Sequence, residues 1–224
     1  MTITVVTGGP IGPGIDVSLT LGALKAEIAD DLDRTDLTSQ IATEIQRAIK
    51  FYQYKRFYFN EVRDEVFQTV AYQGLYNSLD AEIIQQFIEF DDIYLNGEQM
   101  PLTFMEPREW EVLASGGNGA KPRSRTYYNQ AIGLYPLPDQ AYTVRMTGHI
   151  IISAPSSDNE TNNPWLTEAY DLIRARTVAN LALKKLRDDT LFQRHSAVEA
   201  SEFNKLAAMT ASKVGSGFVT PTEF

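Results

Sequence analysis

The segment Ile49–Glu61, with the sequence IKFYQYKRFYFNE, constrains the fold more than any other part of this chain. Six of the nine residues from Phe51 to Phe59 are aromatic, and basic side chains lie between them. A helix buries only about a third to a half of its circumference, so these rings cannot all face one small core. We therefore expect some of them to lie at a junction of several elements, or to contact a partner chain.

The composition limits the classes of function that are open to the chain. A formal net charge of −9 argues against general affinity for nucleic acid or anionic membrane, because phosphate binding needs accumulated lysine and arginine. The absence of cysteine excludes disulfides, zinc–thiolate sites and thiol catalysis. The N-terminal sequence does not resemble a secretory signal, and no apolar run is long enough to predict a transmembrane helix.

The hydrophobic pattern predicts helices, then strands, then helices. We expect one helix over about 17–32 and a second that starts at Asp36 or Thr38 and ends near Phe57. Alternating residues then predict strands, with a helical turn at 80–86 and a short helix that opens at Pro107. Asn96-Gly97 is a strong hairpin signal, so we expect the strand 87–94 to pair with 99–104.

The C-terminal third has clear helix start signals. Asn163-Pro164 combines a cap residue with a proline at the first helical position, and predicts one helix that runs to about Arg187. Asp188-Asp189 predicts the cap of a last helix, which runs to about Ser212.

These elements predict an α+β, mainly helical fold, in which both chain ends form a helical bundle with an inserted antiparallel β module. The predicted domain boundaries are 1–16 for an extended N-terminal arm, 17–61 and 164–212 for the two parts of the bundle, 62–155 for the β module, and 213–224 for a flexible C-terminal tail.

No constellation of residues in the sequence predicts a catalytic site, a metal site or a cofactor. The only histidines, His149 and His195, are isolated, which disfavours a transition-metal site. The carboxylates Glu89, Asp91 and Asp92 are too close in sequence to face each other across a substrate, as glycoside hydrolysis requires. We therefore interpret them as a solvated strand edge, and we do not expect an enzyme.

A small basic loop is the remaining candidate for ligand binding. Lys121, Arg123 and Arg125 precede Tyr127 and Tyr128, a combination that could stack a nucleic-acid base or contact a partner protein. Three charges against a net charge of −9 make a solvated loop the simpler interpretation, with base stacking and a partner contact as the alternatives.

Three segments together resemble a known family. They are Ile49–Glu61, then the stretch from Pro122 to Tyr142 with Gly133 and Leu134-Tyr135-Pro136, and last Trp165-Leu166-Thr167-Glu168-Ala169-Tyr170-Asp171-Leu172-Ile173-Arg174-Ala175-Arg176. In this order and spacing they resemble the head-to-tail adaptor (connector) proteins of tailed bacteriophages, over roughly residues 38–210.

The resemblance implies a virion structural protein at the head–tail junction, assembled in the host cytoplasm. Such adaptors form a ring, typically a dodecamer, below the portal protein. The ring extends the DNA channel and provides a platform for downstream tail proteins, while DNA passes without specific binding and no membrane is involved. The alternatives are another tail-completion or terminator ring protein and, in a different class, a hydrolase that uses carboxylates of the β module.

Two sets of residues are the predicted contact sites. We expect Tyr54, Lys55, Arg56 and Tyr58 to reach a neighbouring subunit or the portal, because Tyr52, Phe57 and Phe59 are needed inside the subunit. The resemblance also implies a C-terminal tail that orders on the portal, and Phe218, Val219 and Phe224 are its apolar anchors.

Overall fold

A computed structural model of the chain describes residues 19–213. The predicted N-terminal arm and the tail anchors Phe218, Val219 and Phe224 lie outside these residues. The chain divides into two compact units. Within the described residues, unit 1 consists of 19–46 and Ala154–Glu199, and unit 2 consists of Arg47–Ser153 and 200–213.

The helices of the described residues lie mainly in unit 1. They are α1 (Leu21–Asp31), α2 (Thr38–Tyr52), α3 (Pro107–Ala114), α4 (Pro164–Thr167), α5 (Tyr170–Leu181) and α6 (Asp189–Lys213). A π-helical turn at Ala182–Leu186 continues α5, and short 3₁₀ helices occur at Tyr58–Asn60 and Glu82–Gln86. Two of the three boundaries between the units fall inside α2 and α6, and the third lies between Ser153 and Ala154.

Polar caps fix the starts of these helices. The Asn163 side chain accepts a hydrogen bond from the Trp165 amide at 3.1 Å, and the Asp188 carboxylate accepts one from the Leu191 amide at 2.9 Å. Each bond satisfies an amide that has no partner within its own helix. The predicted starts at Asn163-Pro164 and Asp188-Asp189 are therefore confirmed.

The prediction of one continuous helix from Pro164 to Arg187 is wrong. The chain leaves helical geometry at Ala169, and a new helix begins at Tyr170. Trp165 and Tyr170 are both buried. In an unbroken helix, residues five positions apart point about 140° away from each other, so the break lets both rings reach the interior.

Unit 1 has a compact apolar core. Leu24 and Ile28 of α1 and Ile41 and Ile45 of α2 are spaced one helical turn apart and are fully buried. Leu172, Ile173 and Val178 of α5 are buried as well, whereas Leu183, in the π-helical turn that follows, is 46% exposed. Apolar residues at helical spacing therefore mark the inward faces of α1 and α2, but Leu183 departs from this pattern after α5.

The strands of the described residues lie in unit 2 and form two sheets. They are β1 (Glu61–Gln68), β2 (Leu75–Tyr76), β3 (Phe87–Leu95), β4 (Thr103–Phe104), β5 (Ser124–Tyr128), β6 (Ala131–Tyr135) and β7 (Thr143–Ile150). The three-stranded sheet has the order β1-β7-β3, and the four-stranded sheet has the order β2-β6-β5-β4. A buried cluster that includes Phe67, Tyr76, Ile93, Leu102 and Ile132 forms the core of the unit.

The predicted fold class, a helical bundle with an inserted β module, is wrong. Helices account for 45% of the described residues and strands for 21%, so the β content is too large for a helical bundle with an appendage. The strands have a hydrophobic core of their own. In addition, β4 pairs in parallel with β5, so the strands do not form a purely antiparallel module. Hydrophobic periodicity identified the elements but not the layers into which they pack.

The predicted hairpin at Asn96-Gly97 is also wrong. The turn itself forms, with Gly97 at φ 85° and the Glu98 amide donating to the Leu95 carbonyl at 3.0 Å. However, β3 pairs with β7, whereas β4 pairs with β5 in the other sheet. The Leu102 amide still donates to the Ile93 carbonyl of β3 at 2.7 Å, but the next amides, of Thr103 and Met105, donate to carbonyls at the start of β5, so the returning chain leaves β3 after this single bond.

Two positions in the backbone of unit 2 restrict which residue types they can hold. A Cβ atom on Gly148 would lie 2.2 Å from the Glu89 carbonyl oxygen, so the close approach of β7 and β3 at this point requires glycine. Asn129 and Gln130 form the two-residue turn between β5 and β6, and both have positive φ, as the favoured hairpin turns require.

Candidate assembly surfaces

A buried asparagine fixes the turn that follows the aromatic end of α2. The Asn60 side chain donates a hydrogen bond to the Lys55 carbonyl and accepts one from the Phe57 amide, both at 2.9 Å. Asn60 is only 1% exposed, so water competes little for these bonds. The turn that carries Tyr54, Lys55 and Arg56 therefore has a defined conformation.

The aromatic run divides into buried and exposed rings. Tyr52 and Phe57 are buried, whereas Phe51 and Tyr54 are more than half exposed. Phe57 stacks on Phe59 with ring centroids 5.0 Å apart. The placement of Tyr52 in a core is thus confirmed, while the role of Tyr54 as a contact residue stays a prediction.

Arg56, a second predicted contact residue, is engaged within its own subunit. Its guanidinium lies 2.6 Å from the Asp91 carboxylate and 3.3 Å from the Glu89 carboxylate, both on β3. All three side chains are partly exposed, so solvent screens the interaction. Arg56 therefore neutralises an acidic stretch of the strand, and its charge is not wholly available to a partner.

Tyr58 faces the C-terminal end of α6. The ammonium group of Lys213 lies 3.6 Å from the centre of the Tyr58 ring, which is a cation–π contact. The Tyr58 amide also donates a hydrogen bond to the Thr210 hydroxyl at 3.2 Å. The four predicted contact residues therefore share one turn but differ in surroundings. Tyr54 and Lys55 are exposed, Arg56 is exposed but paired with carboxylates of β3, and Tyr58 is half-buried.

The carboxylates of β3 are not arranged as a catalytic pair. Glu89 and Asp91 share Arg56, and Asp92 accepts a hydrogen bond from the Tyr94 hydroxyl at 3.1 Å. Glycoside hydrolysis needs one carboxylic acid and one carboxylate that face a substrate between them. A guanidinium that binds two of the three groups favours a structural role for them.

His149 is buried beside this acidic stretch. Its Nδ1 lies 3.7 Å from an Asp91 oxygen, and neither ring nitrogen has a hydrogen-bond partner within the described residues. Burial lowers the pKa of His149, and the nearby Arg56 lowers it further. Within residues 19–213, no group of three or more His, Asp or Glu side chains could hold a metal ion.

The basic loop predicted at Lys121, Arg123 and Arg125 does not form one basic surface. Lys121 pairs with Glu98, and Arg125 donates to the Asp91 carbonyl at 3.3 Å. Arg125 is half-buried, and this burial lowers the pKa of its guanidinium. Arg123 remains exposed and has no side-chain partner among the residues that the structure describes.

The tyrosines beside this loop pack within unit 2. The Tyr127 ring lies 5.0 Å from Phe90, and the Tyr128 ring lies 5.9 Å from Trp110. Burial raises the pKa of Tyr127. These contacts disfavour the base-stacking interpretation, because a stacking platform needs an open ring face.

An open groove of about 370 Å³ lies next to the basic loop. We call it the β4 groove. Its lining residues are Leu95, Glu98, Met100, Pro101, Leu102, Thr103, Lys121, Pro122 and Arg123. Sequence reasoning identified Lys121 and Arg123 but missed the groove, because its walls come from the end of β3, the segment before β4 and the segment before β5.

The exposed side chains of unit 2 indicate a class of protein. The described residues contain no catalytic arrangement that we can identify, but they carry exposed aromatic and apolar side chains on a rigid β-rich unit, which is typical of an assembly protein. Between residues 19 and 213, no helix combines the length and the apolarity that crossing a membrane requires.

The chain belongs to the SU10 adaptor protein family, whose model matches residues 19–221. The predicted recognition as a bacteriophage head-to-tail adaptor is therefore confirmed, and with it the general role of a structural adaptor of the phage particle. Among curated proteins, none matches the sequence.

Proposed function

We propose that this adaptor assembles into a homo-oligomeric ring below the portal protein, at the head–tail junction of the virion. The ring, a dodecamer, extends the DNA channel and provides the platform to which downstream tail proteins attach. The subunits assemble in the host cytoplasm. The observation that carries the proposal is the family match, which covers nearly the whole chain.

The surface of unit 2 supports this proposal. Phe51, Tyr54, Tyr72, Met100 and Phe104 are each more than half exposed, although apolar side chains of this size cost free energy in water. Subunits of a ring need two different lateral faces, because each copy contacts its neighbours through heterologous interfaces. Surplus aromatic residues are common in such interfaces.

The net charge of −9 supports passage of DNA without retention. Protein–DNA affinity comes largely from lysine and arginine that neutralise phosphates. A channel wall without such a surplus forms few phosphate contacts, so the DNA slides past it. If electron microscopy of the particle shows a strongly basic channel wall, this part of the proposal is wrong.

Reconstitution with portal protein tests the proposed function. The full-length chain should bind isolated portal rings, and native mass spectrometry of the complex should give a fixed number of adaptor copies per ring. Electron microscopy should show these copies on the tail-facing side of the portal. A chain that stays monomeric and never binds portal would contradict the proposal, whereas binding to isolated tails alone would favour a terminator ring.

Two sets of variants identify the contacts. Removal of residues 214–224, which include Phe218, Val219 and Phe224, should weaken portal binding but leave the folded units unchanged. Replacement of Tyr54 and Lys55 by serine should weaken ring assembly or portal binding. Replacement of Lys50 and Gln53, which lie on the same segment but are not predicted contacts, is the matched control.

A further inference from the structure

A single leucine projects from unit 2 on a rigid turn. Leu79 is 94% exposed, and its amide donates a hydrogen bond to the Asn77 side chain at 2.8 Å. The Asp80 carboxylate accepts bonds from the Asn77 amide at 2.9 Å and from the Gln73 side chain at 2.7 Å. Because the backbone of the turn is already fixed, Leu79 loses less conformational entropy when it binds a partner than a residue on a mobile loop would.

The base of this turn is also fixed. Tyr76 is fully buried, and its hydroxyl donates a hydrogen bond to the Gln73 carbonyl at 2.7 Å. The same hydroxyl accepts a bond from the Val70 amide at 3.2 Å. Residues 70–80 thus form one braced loop, which we call the Leu79 loop.

The Leu79 loop and the β4 groove lie at opposite edges of the four-stranded sheet. The loop contains β2, the first strand of the order β2-β6-β5-β4, and the groove is lined by β4, the last strand. Three strand spacings separate these edges, or about 14 Å. A contact between the loop of one copy and the groove of the next is therefore head-to-tail, which is the geometry that generates rings.

The two surfaces are chemically complementary. The β4 groove offers the exposed apolar side chains of Met100 and Pro101 together with the unpartnered guanidinium of Arg123. The Leu79 loop offers an apolar side chain, and it is followed by Glu82, an exposed carboxylate with no side-chain partner among the described residues. An acidic group beside the apolar anchor matches a basic group at the rim of the groove.

We propose that Leu79 of one subunit inserts into the β4 groove of the next subunit, and that Glu82 pairs there with Arg123. The inference rests on the proposed function, since it names the lateral contact of the ring. The contact is formed by side chains and not by pairing of strands between subunits. The Leu75 carbonyl at the outer edge of β2 already accepts a hydrogen bond from the Gln73 side chain, so it is not open to pair with a further strand.

Disulfide trapping tests the contact directly, because the chain contains no cysteine of its own. The full-length double variant Leu79→Cys/Met100→Cys, oxidised with copper–phenanthroline, should form a ladder of covalent oligomers on a non-reducing gel. Met100 lines the groove, is 78% exposed, and tolerates the change. An equimolar mixture of the two single variants should stop at the covalent dimer, because each chain then has only one reactive end.

The matched control places the first cysteine on a different exposed apolar residue. Val112 of α3 is 69% exposed, and the pair Val112→Cys/Met100→Cys should give only the background of random collisions. If both double variants give the same ladder, the inference is overturned. If the Leu79 ladder is absent while the unmodified chain still forms rings on portal, the lateral contact lies elsewhere and the proposed function stands.

A charge exchange measures the polar part of the contact. Glu82→Arg and Arg123→Glu should each weaken self-association by about two- to fivefold, as expected for one exposed ion pair, and the double variant should restore it. Leu79→Asp should weaken association by roughly ten- to a hundredfold, because an apolar anchor is lost. Glu111→Arg on α3 is the matched charge control, and failure of the double variant to recover would refute the pairing.

Discussion

Unit 1 and unit 2 contain the same kinds of side chain but place them differently relative to solvent. In the described part of unit 1, only Leu183 and Val198 are large apolar side chains that remain well exposed, whereas the β-rich unit 2 exposes many more. Unit 1 also contains some well-enclosed ion pairs, although its Arg34–Asp36 pair is open to water. Arg174 of unit 1 is partly buried against Glu27 and Asp31, while the ion pairs of unit 2 are more open to water.

The difference indicates that unit 1 mainly provides stability and that unit 2 mainly provides surfaces for association. Unit 1 uses its apolar and charged side chains to stabilise itself, so changes there should act on the free energy of unfolding. Unit 2 leaves apolar side chains unburied at a cost in free energy, so changes on its surface should act on association. Four predictions test this contrast.

The largest effect is expected in the core of unit 1. Trp165 is fully buried, so Trp165→Ala should lower the free energy of unfolding by about 3–5 kcal/mol through lost contacts and a residual cavity. Chemical denaturation followed by circular dichroism measures this change. Trp165→Phe is the control and should cost clearly less, and an equal cost for both variants would contradict a packing origin.

A smaller effect is expected for the charges of unit 1. Arg174 donates hydrogen bonds to Glu27 at 2.6 Å and to Asp31 at 2.7 Å. Arg174→Ala leaves two carboxylates without their shared cation and should cost about 1–3 kcal/mol, since partial exposure reduces the penalty of a fully buried pair.

The comparison with unit 2 sharpens this second prediction. Arg145 pairs at 3.5 Å with Asp64, which is 87% exposed, but its guanidinium also lies 4.7 Å from the centre of the Tyr94 ring. The pair is therefore removed from the carboxylate side, and Asp64→Ala should cost no more than about 1 kcal/mol. Urea denaturation of both variants at low and high salt gives the two values. Equal losses in the two units would remove the contrast in how they use charge.

The stability of the protein should depend on pH through His149, and less through His195. Burial lowers the pKa of His149 below its ordinary value of 6.5, with Arg56 adding to the effect and Asp91, Glu61 and Glu89 opposing it. Between the folded and unfolded pKa values the unfolded chain binds more protons, so acidification below about pH 6.5 should destabilise the protein.

His149→Gln should make this acid loss of stability less steep. Thermal unfolding at pH 8 and pH 5.5 measures the difference between wild type and variant. His195→Gln is the control from unit 1, where burial also lowers the pKa but the side chain is less enclosed. A variant at position 149 with the wild-type pH profile would show that His149 is not the group that titrates.

The smallest effect on stability is expected at the surface of unit 2. Val66 is 52% exposed, so Val66→Thr should change the free energy of unfolding by no more than about 0.5 kcal/mol. The same substitution at Val178, which is fully buried in unit 1, should cost about 1–3 kcal/mol, because it places a hydroxyl in the core. Similar costs at both positions would contradict the proposed contrast.

Local signals predicted local structure well. The caps at Asn163 and Asp188 and the short helix at Pro107 follow from the chemistry of a few neighbouring residues, and the structure contains all three. The apolar stripe from Ile41 to Tyr52 likewise requires only the period of a helix.

Non-local features could not be predicted in the same way. The pairing of β3 with β7 joins residues 49 to 63 positions apart, and the Asn96-Gly97 signal favoured a nearer partner. The same limit applies to the candidate surfaces. Arg56 finds its carboxylates 33 and 35 residues away, and the β4 groove is assembled from separate segments.

The turn at Asn129-Gln130 has a practical consequence. Both residues are exposed, and they join two strands whose register is set by five residue pairs, so an inserted peptide would emerge from a fixed point. A short epitope placed there would carry an antibody fragment to one edge of unit 2. Electron micrographs of labelled particles would then give the radius and height of this unit in the virion without altering either candidate contact.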